Sequence, residues 1–318
     1  MTGALQKNLR LGLIAVLCTV LWGSAIPTIK LGYDAFAIQA EATGDKLLFA
    51  GIRFLGAGLM ILIPYLVLRR REPITRETLT HSVVIGLIQT AAQYFFMYIG
   101  LSYTTGVNAS VFNSFGTLLY IVLALILFRD EKATRYKILG CAIGFSGILL
   151  NSIASQRMGL LSFRGDGLVI LSNICVAVGF LYSRHSVKRA NPFLLTGLQM
   201  TLGGSLLLVI GLLFGGRLPL VTLRGVFLLV YLMLVSAVAF SLWTFLLREY
   251  PPALVGMFNF LTPVFGSLFS YALNVLGFLN DNSTLTLYTV VAIVCAAAGI
   301  FLSSVKPREK TRAGSDGA

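Results

Sequence analysis

Apolar and polar residues alternate along this chain in long blocks rather than residue by residue. Ten apolar runs, near 10–31, 47–68, 80–101, 105–128, 136–153, 165–184, 192–213, 224–247, 253–275 and 285–305, are each closed by charges, Gly or Pro. Runs of that length predict membrane-spanning helices, because a hydrocarbon core of ~30 Å is crossed by about 20 helical residues. The joints carry breakers, "RRREP" after the second run, "RANP" before the seventh and "REYPP" before the ninth. The expected fold class is all-α integral membrane, with ten transmembrane helices.

Composition strengthens that reading. Of 318 residues, 57% are hydrophobic and 12% charged, and a mean hydropathy of +0.85 is far above that of a soluble domain. The net charge of +13 would suggest nucleic acid in a soluble protein. Here the basic residues sit between apolar runs, where membrane orientation accounts for them, so no nucleic-acid partner is expected. Cys18, Cys141, Cys175 and Cys295 all fall inside apolar runs without a C-x-x-C pair or a nearby histidine, so neither disulfides nor a metal site is expected. The first run, "LGLIAVLCTVLWGSAIPTIKL", lacks an A-x-A cleavage site and reads as a retained helix rather than a signal peptide.

The basic residues also orient the chain. With the N-terminus inside, eighteen Lys and Arg fall in cytoplasmic segments and six on the opposite side, while Arg53 lies within a span. That asymmetry predicts a multi-pass protein of the inner (plasma) membrane with both termini cytoplasmic.

A shift of 146 residues lays "AGIRFLGAGLMIL" from Ala50 over "TGLQMTLGGSLLL" from Thr196 and Phe112-Asn113 over Phe258-Asn259, and six more residues lay Gly147 over Gly299. The expected organisation is a first five-helix repeat at 1–155, a second at 156–305 and a polar cytoplasmic tail at 306–318. An odd number of spans per repeat makes the second repeat inverted, an arrangement common in secondary transporters.

"LWGSAIPTIKLG" in the first run, "IRF" at Ile52 to Phe54, "LILFRDE" ending at Glu131 and "NFLTPVFGSLFSY" from Asn259 together resemble the EamA-domain branch of the drug/metabolite transporter superfamily. The likeness covers roughly residues 10 to 305. It implies a ten-helix inverted-repeat carrier of small organic solutes, often working as an efflux system. Two departures, "NVLGFLNDN" without a glutamate after the ninth run and a long first loop, "GYDAFAIQAEATGDK", place the chain in a divergent subgroup.

Polar side chains within spans either face a wet interior or tie helices together for about 0.6 to 2 kcal/mol each. Gln89 and Gln93 stand four apart on the third run, flanked by Tyr94 and Tyr98, and Asn113, Thr117 and Tyr120 recur at helical spacing on the fourth. On the ninth, Asn259 and Pro263 share a face with Gly266 and Ser270, and Pro263 frees a backbone carbonyl. Trp22 and Trp243 either wall an aromatic cavity or pack against lipid. Arg53 either snorkels, pairs with a first-loop acid or meets a substrate anion. Gly140 and Gly144 form G-x-x-x-G, a close contact within the bundle or in a homodimer.

All twelve acidic residues fall in loops, helix ends or the tail, His81 and His185 lie at helix ends, and no P-loop, dinucleotide motif or nucleophile elbow is present. No cofactor is implied and no enzyme activity is expected. The expected function is a secondary transporter or exporter of small organic metabolites or drugs, amino-acid-like or amphipathic. A nucleotide-sugar or phosphorylated-metabolite carrier is the alternative and calls for several basic residues in the cavity. An integral-membrane lipid enzyme is a third reading and calls for clustered Asp, His or Glu.

Overall fold

The computed structural model describes residues 2–68, 74–104, 106–128, 131, 133–155, 162–278 and 287–304. The polar tail at 306–318, the "RRREP" joint and the stretch around Asp281 lie outside them. Among the described residues the regular elements are helical. They are α1 (Thr2–Ala35), α2 (Thr43–Leu68), α3 (Arg76–Ile85), α4 (Gln93–Leu101), α5 (Gly106–Leu127), α6 (Arg135–Ser155), α7 (Phe163–Ser186), α8 (Pro192–Leu213), α9 (Leu223–Glu249), α10 (Pro252–Phe258), α11 (Leu261–Val275) and α12 (Leu287–Ser304). Seven helical stretches among the described residues are long and apolar enough to cross a membrane, and two shorter apolar ones, Phe112–Leu127 and Leu287–Ser303, accompany them.

Local chemistry sets several starts. Thr75, Ser162, Asn191 and Thr222 each accept a hydrogen bond from a backbone N–H of the first helical turn, which satisfies a donor that the helix itself cannot. Pro192 and Pro252 occupy first-turn positions, where a missing N–H costs nothing.

Two apolar runs depart from the regular helices expected of them. Between α3 and α4 the chain passes through a π-helical segment, Gly86–Ala92, and the Gln93 N–H reaches back to Ile88 O. The run at 253–275 is interrupted at Asn259 and Phe260, between α10 and α11. Pro263 has no N–H to return to the Asn259 carbonyl, which instead accepts from Thr262 N at 3.1 Å in a tighter turn.

Helix packing relies on small residues. α2 lies along α8, with Gly51 against Leu208, Gly58 against Thr201, Gly197 against Leu62 and Gly204 against Leu55. α6 lies along α12, where Gly140 meets Gly299 and Gly147 meets Ala292 and Cys295. The Gly140–Gly144 face therefore packs inside the bundle. α1 contacts α9 and α11, and α7 contacts α4 and α5, which leaves a space between these two groups of helices.

Candidate solute-binding cavity

That space is a central cavity of about 340 Å³, toward the small end of the ~300–1,000 Å³ usual for small-molecule pockets. Both halves of the chain line it. From the first come Trp22, Arg53, Gln93, Tyr94, Asn113, Thr117 and Tyr120, and from the second Asn173, Phe180, Phe240, Trp243, Asn259 and Pro263.

One wall is aromatic. The Trp22 and Trp243 ring centroids are 4.9 Å apart, Trp22 meets Phe240 edge-on at 5.3 Å, and Phe180 lies 5.9 Å from Trp243. These tilted and edge-on contacts suit ring quadrupoles. Trp243 is only 1% exposed. Neither indole Nε1–H has an acceptor among the described residues.

A second wall is built from amides. Asn173 Nδ2 donates to Asn113 Oδ1 at 2.9 Å and to Val169 O at 2.8 Å. Asn259 Nδ2 donates to Thr117 Oγ1 at 3.1 Å and its Oδ1 accepts from Thr262 Oγ1 at 3.0 Å. Asn113 and Asn259, matched by the internal repeat, both belong to this wall, Asn259 bonded to Thr117 one helical turn along α5 from Asn113. The irregular backbone at Asn259 and Phe260 sits at this wall, and non-helical backbone at membrane depth is tolerated where it is buried in protein or lines a cavity.

Arg53 forms part of a third side. It is 3% exposed, its Nε–H donates to Ser236 Oγ at 2.9 Å, and its guanidinium carbon lies 5.0 Å from the centre of the Phe54 ring. Among the described residues no carboxylate stands within ion-pair distance of it. Asp45, a candidate partner near the first loop, accepts instead from Arg217 N at 2.7 Å.

Ten of the sequence-derived candidates, Trp22, Arg53, Gln93, Tyr94, Asn113, Thr117, Tyr120, Trp243, Asn259 and Pro263, meet in this cavity. Two do not. Gln89 is buried against Gly179 and its Oε1 accepts from Ser183 Oγ at 3.2 Å, so it ties helices together. It precedes Gln93 through the π segment, where a four-residue step turns through a different angle than in an α-helix. Tyr98 is buried behind Tyr94, with ring centroids 6.0 Å apart. Asn173, Ser172 and Phe180 were not singled out from the sequence. The signal for Asn173 was present, since Ser172-Asn173 is a polar pair in the middle of an apolar run.

On the side bearing the start of α1, the helices beyond the cavity are tied together. Tyr120 OH donates to Pro252 O at 3.0 Å. The buried Glu131 carboxylate accepts from Ala253 N and pairs with Lys137 Nζ, both at 2.6 Å. Arg184 donates to the Leu247 and Arg248 carbonyls, and Tyr250 OH donates to Lys7 O at 3.0 Å.

This geometry has relatives. The EamA-like transporter family matches residues 10–153 and again 163–305. An uncharacterized transporter of Archaeoglobus fulgidus is 25% identical over 313 residues, covering 95% of this chain and all of that one. The uncharacterized inner membrane transporter YedA of Escherichia coli is 25% identical over 293 residues, covering 91% of this chain and 90% of that protein. The uncharacterized transporter YyaM of Bacillus subtilis is 24% identical over 256 residues, covering 79% and 81%. A crystal structure matches with a TM-score of 0.73 at 17% identity, covering 93% of this chain and 96% of that one, a likeness of fold alone.

Proposed function

The chain belongs to the EamA-like transporter family, and we propose that it is a secondary carrier that moves small organic solutes through the central cavity by alternating access. In this reading ten transmembrane helices form two inverted five-helix repeats. The observation that carries it is the cavity itself, lined from both halves, with a broken helix at its amide wall and ties across one end. Discontinuous helices at a mid-membrane site between repeats are a recurring build of secondary transporters.

Reciprocal contacts support the inversion. A two-fold relation requires that if one residue meets another, their repeat mates also meet. Under the 146-residue shift, Gly51 against Leu208 becomes Gly197 against Leu62, and Gly58 against Thr201 becomes Gly204 against Leu55. Under the 152-residue shift, Gly140 against Gly299 becomes Ala292 against Gly147.

The basic asymmetry supports cytoplasmic termini in the inner membrane, which puts the tied end of the bundle on the cytoplasmic side. Among the described residues the nucleotide-sugar alternative finds a single basic residue, Arg53, in the lining. The test is a single cysteine at Thr117, with Cys18, Cys141, Cys175 and Cys295 replaced by Ser, labelled in oriented vesicles by an impermeant maleimide. Reaction from either face is the expected result. Labelling from one face alone under every condition overturns alternating access.

A further inference from the structure

We propose that the cavity selects solutes carrying one net negative charge, a carboxylate or similar oxyanion on a flat apolar body, and that Arg53 recognises that charge. This deepens the carrier reading and rests on it. The argument begins with the cost of a charge in a membrane-spanning helix. A guanidinium does not deprotonate in proteins, so the charge on Arg53 cannot be shed as a buried lysine would shed it. Ionisable groups at such depth face the bundle interior and pair with one another, with backbone carbonyls or with what passes through.

Of the five N–H donors on Arg53, the Nε–H is taken by Ser236 Oγ, whose own hydrogen goes to Leu232 O. The other favourable neighbours among the described residues are the Phe54 ring face at 5.0 Å and the Tyr33 and Tyr94 phenols, which lie close enough to interact with the guanidinium; they offer attraction without neutralising the charge. The guanidinium lines the cavity, so an anionic solute there would supply the missing partner.

The rest of the lining points the same way. Trp22 and Trp243 contribute buried indole donors without acceptors, and the Asn113 carbonyl oxygen is already engaged by Asn173. Among the described residues no Asp or Glu lines the cavity. Surplus donors call for a ligand rich in acceptors. One fixed cation balances one negative charge, so the extra charge of a phosphate monoester finds no mate. The ammonium of a zwitterion meets ring faces but no carboxylate. The faces of Trp22, Trp243, Phe180 and Phe240 define a space for a flat apolar body.

The experiment uses an accident of composition. The chain has two tryptophans and both line the cavity, so tryptophan emission of the purified full-length protein reports occupancy directly. Titrations with phenylacetate, benzoate and hexanoate are compared with phenylacetamide, phenylalanine and phenyl phosphate. The expected result is a saturable response to at least one monocarboxylate, with its uncharged or zwitterionic counterpart about tenfold weaker or more. Arg53→Gln is expected to weaken monocarboxylate binding roughly 10- to 100-fold, the worth of a charged hydrogen bond, and phenylacetamide binding far less, because a neutral acceptor loses less. Arg53→Lys, which keeps the charge, recovers part of the loss, and it serves as the deciding variant if thermal unfolding shows Arg53→Gln misfolded. Equal binding of phenylacetate and phenylacetamide with no change in either Arg53 variant overturns the proposal, as does silence towards all three monocarboxylates. The Thr117 labelling test does not depend on solute charge, so the carrier reading can stand where this proposal falls.

Discussion

Asn113 and Asn173 share a hydrogen bond of 2.9 Å at the cavity wall, and Asn259 is held by Thr117 and Thr262. The two repeat-related asparagines are therefore not loose amides awaiting a solute; each is oriented by a neighbour. This changes what their removal does. Asn113→Ala and Asn173→Ala are each expected to weaken solute affinity about five- to thirtyfold, a loss of 1 to 2 kcal/mol. Because the pair acts as one unit, the double variant is expected to lose less than the product of the singles, with a coupling of about 0.5 kcal/mol or more. Uptake into proteoliposomes by the parent, both singles and the double variant, each confirmed monodisperse, checks this. Strict additivity means that Asn173 does not position Asn113.

At the scale of elements, the α2–α8 contact shows how close approach was written into the chain. A Cβ added at Gly58 would lie 2.5 Å from Thr201 N and 2.9 Å from Gly197 O, backbone atoms that cannot rotate away. Gly58→Leu is expected to destabilise the protein by about 1 to 3 kcal/mol or more through overpacking. Gly12→Leu should be tolerated, since nothing lies within 4 Å of the added carbon. Thermal unfolding in detergent compares the two, and an unchanged midpoint for Gly58→Leu contradicts the close contact. The two irregular elements have a different origin. The α10–α11 break follows from Pro263 and is legible in the sequence, although the apolar run around it reads as a single span. No comparable residue marks the π segment, whose Thr90 hydroxyl donates to Gln199 Oε1 on α8 at 2.8 Å.

For the whole molecule, the uneven distribution of basic residues predicts where each loop lies. Reporter fusions after Lys46 and Ser102 are expected outside and one after Lys188 inside; a C-terminal reporter found outside contradicts the topology. The sequence by itself determined that the chain is helical and lives in a bilayer, because each span must satisfy its own backbone in hydrocarbon and therefore announces itself as a long apolar run. It also carried the family likeness and ten of the cavity's side chains. It did not determine which face of each helix turns inward. In a soluble protein the apolar stripe marks the buried face, but here lipid and protein interior are both apolar, so the spans read as hydrophobic on every side. Gln89 and Gln93 look equivalent in the sequence, and Asn173 looks like any polar residue in a span. Tertiary packing decided these positions: the π segment separated the two glutamines, and the position of α7 between α4 and α5 brought Asn173 to Asn113. The same packing left Arg53 beside the cavity without a carboxylate among the described residues, because counter-ions are chosen by proximity in space rather than by spacing along the chain.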